Sequence, residues 1–256
     1  MESFVLALVL TLIAGLSTTI GSFIAILVKK PSSKYISLIM GFSAGVMILV
    51  SFVELLQQGI TSSGFIFGHL FFFLGMGLMF VIDISISHIY EFEETISKEK
   101  KGKSIENVNF QKTSILITLG IFIHNFPEGM VTFAGTLKDV QLGFLLAFAI
   151  ALHNIPEGIA VAIPIYTSTK SRKKAFFWSF FSGISEPIGA LVFGLILFPF
   201  VNDFLLGVML AIVGGFMIYI SLDELLPASR TFGNENLSIL GIITGMVFMF
   251  LSLALL

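Results

Sequence analysis

Long apolar runs separated by short polar clusters organise this chain. A helix needs about 20 mostly apolar residues to cross the hydrocarbon core of a bilayer. Reading between charge clusters and turn residues gives eight such segments, at roughly 3–28, 35–57, 64–90, 114–134, 142–166, 175–198, 204–226 and 237–256. The runs are continuous rather than alternating, which predicts helices and not an outer-membrane barrel. The start, Met1-Glu2-Ser3-Phe4, carries no positive stretch, so the first segment is expected to be a retained helix rather than a cleaved signal.

Composition agrees. Of 256 residues, 56% are hydrophobic and only 12% charged, where a soluble chain carries about 25% charged residues. That excludes an ordinary soluble enzyme and a disordered tail. The net charge of −2 shows no large basic field, so nucleic acid is not an expected partner. The absence of cysteine rules out any thiolate metal site.

Lysine and arginine set the expected orientation. The polar clusters after segments one, three, five and seven hold Lys29, Lys30 and Lys34; Lys98, Lys100, Lys101, Lys103 and Lys112; Lys170, Arg172, Lys173 and Lys174; and Arg230. The opposite face has only Lys138. This bias puts the basic loops in the cytoplasm and both termini outside, in a multi-pass protein of the cytoplasmic (cell inner) membrane. The chain reads as one transmembrane domain, 1–256, with residues 91–112 forming a solvated cytosolic loop between segments three and four.

The sequence also repeats. Gly15-Leu16-Ser17-Thr18-Thr19-Ile20-Gly21 in segment one resembles Gly183-Ile184-Ser185-Glu186-Pro187-Ile188-Gly189 in segment six. In segments two and seven, Gly45, Met47, Ser51 and Glu54 match Gly215, Met217, Ser221 and Glu224. In segments three and eight, and in the same register, Gly75, Met76, Met79 and Phe80 match Gly245, Met246, Met249 and Phe250. With the orientation above, paired segments run in opposite directions. The expected fold is an all-α membrane protein of eight transmembrane helices in a 3+2+3 inverted-repeat arrangement, a plan that suits alternating access.

Segments four and five match each other. His124-Asn125-Phe126-Pro127-Glu128-Gly129 is answered by His153-Asn154-Ile155-Pro156-Glu157-Gly158. Residues four apart on a helix share a face, so His124 stacks with Glu128 and His153 with Glu157. Imidazole and carboxylate together suit borderline divalent cations such as zinc, ferrous iron, manganese or cobalt. Pro127 and Pro156 free the carbonyls of Ile123 and Leu152, and Glu186 lies beside Pro187 in segment six. His124, Asn125, Glu128, His153, Asn154, Glu157 and Glu186 form a candidate metal constellation large enough for two ions. An acid at mid-membrane costs about 2.5–3.5 kcal/mol on insertion scales, so such residues are rarely decorative.

Glu54, Asp223 and Glu224 read either as pathway ligands at the two mouths or as interfacial acids solvated by water, and Asp83 reads as a candidate member of the path. Met47 reads as a soft ligand or gate, or as a packing methionine, with packing favoured. His69 and His88 read as structural or interfacial.

These residues resemble the ZIP (Zrt/Irt-like) divalent metal transporters, in the bacterial ZupT/GufA-like branch. The resemblance covers nearly the whole chain and rests most specifically on the paired HNFPEG and HNIPEG motifs. It implies inward transport of zinc, and of iron(II), manganese or cobalt, with no cofactor beyond the transported ion and no enzymatic activity. By position, it implies a principal metal site at His124, Glu128, His153 and Glu157. A second would use Asn125, Asn154 and Glu186, with the glutamates of segments four and five bridging. Relatives are similar in forming homodimers and in elevator-like movement. Many carry a histidine-rich loop between segments three and four, which is absent here. Two other classes compete: an intramembrane metalloenzyme, which would want His-Glu-x-x-His, and a transporter of another cation such as sodium, which the histidines disfavour.

Overall fold

A computed structural model describes residues 2–27, 32–86, 110–200, 202–231 and 235–255. It is helical throughout, with no strand among the described residues. The helices are α1 (Glu2–Leu27), α2 (Ser33–Val50), α3 (Leu56–Ser63), α4 (Phe65–Ile86), α5 (Phe110–Lys138), α6 (Val140–Thr169), α7 (Arg172–Gly183), α8 (Ser185–Val192), α9 (Asp203–Ile220), α10 (Leu226–Thr231) and α11 (Glu235–Leu255). His88, and all of the 91–112 loop but its last three residues, lie outside the described residues.

Seven helical rods among the described residues are long and apolar enough to cross a membrane: α1, α2 with α3, α4, α6, α7 with α8, α9 with α10, and α11. The chain is a multi-pass membrane protein. α5 is not one of the seven, although its 29 residues make it one of the longest helices. At 1.5 Å per residue it extends about 43 Å.

Two rods contain a widened turn at equivalent positions of the sequence repeat. Ser51–Leu55 joins α2 to α3 and Ser221–Leu225 joins α9 to α10, each as a π-helical turn. Each turn begins with a serine whose hydroxyl donates to a methionine carbonyl one turn back, Ser51 to Met47 and Ser221 to Met217, both at 2.6 Å. A hydroxyl bonding into the ladder at this point bends and loosens the helix. The rod that reads in sequence as ending near residue 57 therefore runs on to Ser63.

The segment read as continuous over 175–198 is broken. α7 stops at Gly183, Ile184 takes a turn, and α8 restarts at Ser185. Pro187 has no N–H to offer the Gly183 carbonyl, so the ladder lapses there. That carbonyl lies against α1, so close that a Cβ at Gly15 would overlap it.

Packing repeats as well. α4 lies on α9 and α11 lies on α2. The backbone at Gly75 meets the Ile212 carbonyl and that at Gly245 meets the Phe42 carbonyl, while Gly215 meets Phe72 and Gly45 meets Ile242. In each pair of contacts, both partners are replaced by their mates in the other half of the chain. The main apolar core draws on α2, α5, α6 and α9 through Val50, Val131, Phe133, Leu146, Leu210 and Met217.

Candidate metal centre

α5 and α6 are joined through Asp139, which caps α6 by accepting from the Leu142 amide at 2.9 Å. The tight link makes the helices antiparallel neighbours, so the two six-residue motifs meet head to tail. Both helices continue through Pro127 and Pro156.

The seven candidate ligands are all buried, none exceeding 2% exposure. They meet across helices rather than within their own motifs. His124 Nε2 lies 3.4 Å from Glu157 Oε2, and His153 Nε2 lies 3.4 Å from Glu128 Oε1. Each histidine of one motif thus faces the glutamate of the other. Glu186 arrives from α8, where Asn154 Nδ2 donates to its Oε1 and also to the Ala14 carbonyl of α1 at 3.0 Å.

Glycine makes that approach feasible. A Cβ at Gly129 would overlap the Glu186 carbonyl oxygen, and one at Gly158 would overlap that of Thr18. The glycine ending each motif therefore lets a neighbouring backbone, α8 or α1, lie directly against the site helix.

Most of the buried side-chain polar atoms without a hydrogen bond among the described residues belong to these seven residues. They include both His124 nitrogens, both Asn125 amide atoms, Glu157 Oε1 and Oε2, and Glu186 Oε2. An unsatisfied buried polar group ordinarily costs about 1–3 kcal/mol. Clustered in one buried place, these nitrogen and oxygen atoms have the chemistry to take a cation. Among the described residues no three histidine, aspartate or glutamate side chains converge as a ready-made cage. The donors stand as two crossed His–Glu pairs with Glu186 beside them, and would have to part to close on an ion.

The outlying candidates fall elsewhere. Met47 is fully buried within the main core. Glu54 sits half-buried on the first widened turn and accepts from Gln58 Nε2 at 3.2 Å. Asp223 and Glu224 occupy the second widened turn, and buried Asp83 accepts from the Tyr219 hydroxyl at 3.1 Å. His69 turns back on its own helix, its Nδ1 2.8 Å from the Phe65 carbonyl.

Two contributors escape sequence reading. Ser43 of α2 donates to the His153 carbonyl at 3.3 Å, tying the main core to the centre. Its mate in the second half is Val213, so the repeat gives no signal for it. Tyr219 likewise has an apolar mate, Leu49.

Comparison with known proteins decides the family. A family model described as ZIP zinc transporter matches residues 88–253. The chain belongs to this family. Its curated relatives include the zinc transporter ZupT of Oceanobacillus iheyensis, 43% identical over the whole of both chains. The ZupT of Chlorobium luteolum is 45% identical, again over the whole of both. That of Clostridium perfringens is 42% identical over all of this chain and 97% of the relative. Family membership puts the protein among transporters rather than enzymes.

Proposed function

We propose that this chain carries divalent transition-metal ions, zinc foremost and iron(II), manganese and cobalt with it, into the cell across the cytoplasmic membrane. The observation that carries the reading is the buried cluster of nitrogen and oxygen donors on α5, α6 and α8, many of whose polar atoms lack a hydrogen-bond partner. The relatives named as zinc transporters support zinc as the leading cargo.

In this reading α5 is the eighth span, which puts both termini outside and the basic clusters within. Segments one to three and six to eight are inverted repeats around α5 and α6. The paired widened turns and the matched glycine crossings support that plan. An ion reaching the centre parts the His124–Glu157 and His153–Glu128 pairs. It takes their nitrogens and oxygens in place of water, and Asn125, Asn154 and Glu186 complete a second position bridged by Glu128 and Glu157. Glu54 serves the outer mouth, and Asp83, Asp223 and Glu224 the inner one. Exchange of conformation between the two repeats then opens the centre to the other side.

The test is metal uptake into proteoliposomes holding a metal-sensitive dye, with zinc, ferrous iron, manganese and cobalt offered separately. Wild type is compared with the double variant His153→Ala, Glu157→Ala. Uptake that vanishes in the variant supports transport through this centre and ranks the ions. Failure of folded wild-type protein to move any ion overturns the reading. Uptake that survives the double change leaves a transporter with a different pathway.

A further inference from the structure

An open groove of about 600 Å³ lies between the end of α1 and the start of α7, and none of its lining residues belongs to the candidate metal centre. Its walls are apolar and aromatic, from Phe23 on α1 and Phe177 and Trp178 on α7, and its rim is Arg172, Lys173 and Lys174. The three cations are consecutive, exposed and free of any carboxylate at ion-pair distance among the described residues. They occupy the first turn of α7, capped by Ser171 accepting from the Lys174 amide at 3.3 Å. A helix start already carries partial positive charge, so cations there oppose the helix dipole. Their placement does not serve helix stability.

We propose that this groove is a binding site for an anionic phospholipid. Its acyl chains lie along Phe23, Phe177 and Trp178, and its phosphate sits among Arg172, Lys173 and Lys174. The inference rests on the membrane orientation proposed above and not on the identity of the transported ion. Both helix ends belong to the basic, cytoplasmic face, where anionic lipid concentrates and where basic pockets between spans take anionic headgroups. Tryptophan is also suited to that depth, with an apolar ring and one polar handle. The groove thus matches the occupant in both halves: charge at the headgroup level and an aromatic wall below it. A soluble anion would have no use for the wall, and a neutral lipid none for the rim.

Trp178 is the only tryptophan in the chain, so its fluorescence reports on this groove alone. Purified protein in mixed micelles is titrated with brominated phosphatidylglycerol or brominated phosphatidylcholine, both of which quench tryptophan on contact. Half-quenching is expected at an at least about tenfold lower mole fraction of the anionic lipid, as three cations at about 1 kcal/mol each more than supply. The triple variant R172Q/K173Q/K174Q should bring the two curves together and leave the phosphatidylcholine curve unchanged. Changing Lys98, Lys100 and Lys101 to Gln, an equal loss of charge elsewhere in the sequence, should preserve the preference.

Coincident curves for wild type would overturn the proposal. So would equal loss of preference in the Lys98, Lys100 and Lys101 variant, which would mark a general charge effect. Abolition of the preference by inorganic phosphate at the same phosphate concentration would identify a soluble anion instead. If the triple variant fails to fold, the wild-type comparison and single K173Q decide.

Discussion

His153 Nε2 and Glu128 Oε1 stand 3.4 Å apart although they belong to different motifs on different helices. The mirror pair, His124 and Glu157, stands at the same distance. The doubled motif is therefore one crossed structure, each histidine facing the glutamate of the other helix. Glu128→Gln should lower zinc affinity by at least about 100-fold, the upper end of what losing a group that merely supports a ligand costs. It should also weaken whatever Glu157→Gln alone leaves, because both act on the same ion in the proposed site. Isothermal titration of the single and double variants with zinc measures this. Two resolved zinc-binding steps, each weakened by only one of the two substitutions, would show two sites that do not communicate.

The glycines ending the motifs are more demanding than ordinary helix glycines. Gly129→Ala drives a Cβ into the Glu186 carbonyl, a backbone atom that cannot swing away. The expected destabilisation is at least about 1–3 kcal/mol, as for overpacking, and it should displace Glu186 and so weaken metal binding too. Gly77 has open space around its missing Cβ, so Gly77→Ala is the neutral control. Thermal unfolding in detergent, with and without zinc, separates the packing cost from the binding cost.

If the two halves are true repeats, equivalent crossings should respond alike. Gly75→Ala meets the Ile212 carbonyl and Gly245→Ala the Phe42 carbonyl, positions that are mates in the repeat at both ends. The two variants should lose similar stability, within the roughly 0.3–0.5 kcal/mol scatter of independent sites. A large loss in one and none in the other, read from thermal unfolding, would show that the halves differ structurally despite their sequences.

The chain's sequence carries the centre more fully than the architecture around it. The spacing within His124-Asn125-Phe126-Pro127-Glu128-Gly129 puts both donors on one helix face, because helical periodicity is local. Which histidine meets which glutamate is tertiary, set by the turn at Asp139 and the close approach at Gly129 and Gly158. The break at Ile184 is half-visible, since Pro187 reads as a helix breaker beside a glutamate. The widened turns at Ser51 and Ser221 are not visible. Nothing in a run of apolar residues marks where a serine will bond back into the ladder rather than across to a neighbour.

Ser43 offers a finer test of that tertiary layer. Its hydroxyl donates to the His153 carbonyl, so Ser43→Ala leaves a buried carbonyl with one partner fewer. The expected stability loss is about 1 kcal/mol. Zinc affinity should fall modestly, because the turn carrying His153 gains freedom, whereas Ser43→Thr keeps the hydroxyl and should restore most of it. An unchanged affinity in Ser43→Ala would confine the serine to packing.

Protons compete with metal for these donors, since imidazole nitrogen and carboxylate oxygen bind a cation only when unprotonated. Lowering the pH from 7.5 to 5.5 should therefore weaken zinc binding, and the rise in unfolding temperature given by a fixed free zinc concentration should shrink with it. The sign follows from mass action: each proton that must leave before the ion is bound makes affinity fall as proton concentration rises. In the double variant His153→Ala, Glu157→Ala fewer protons compete, so its weaker zinc response should also depend less steeply on pH. Melting curves of both proteins across that range, at matched free zinc, check both expectations. A zinc-induced shift that stays constant from pH 7.5 to 5.5 would mean the ion binds through groups other than His124, Glu128, His153 and Glu157.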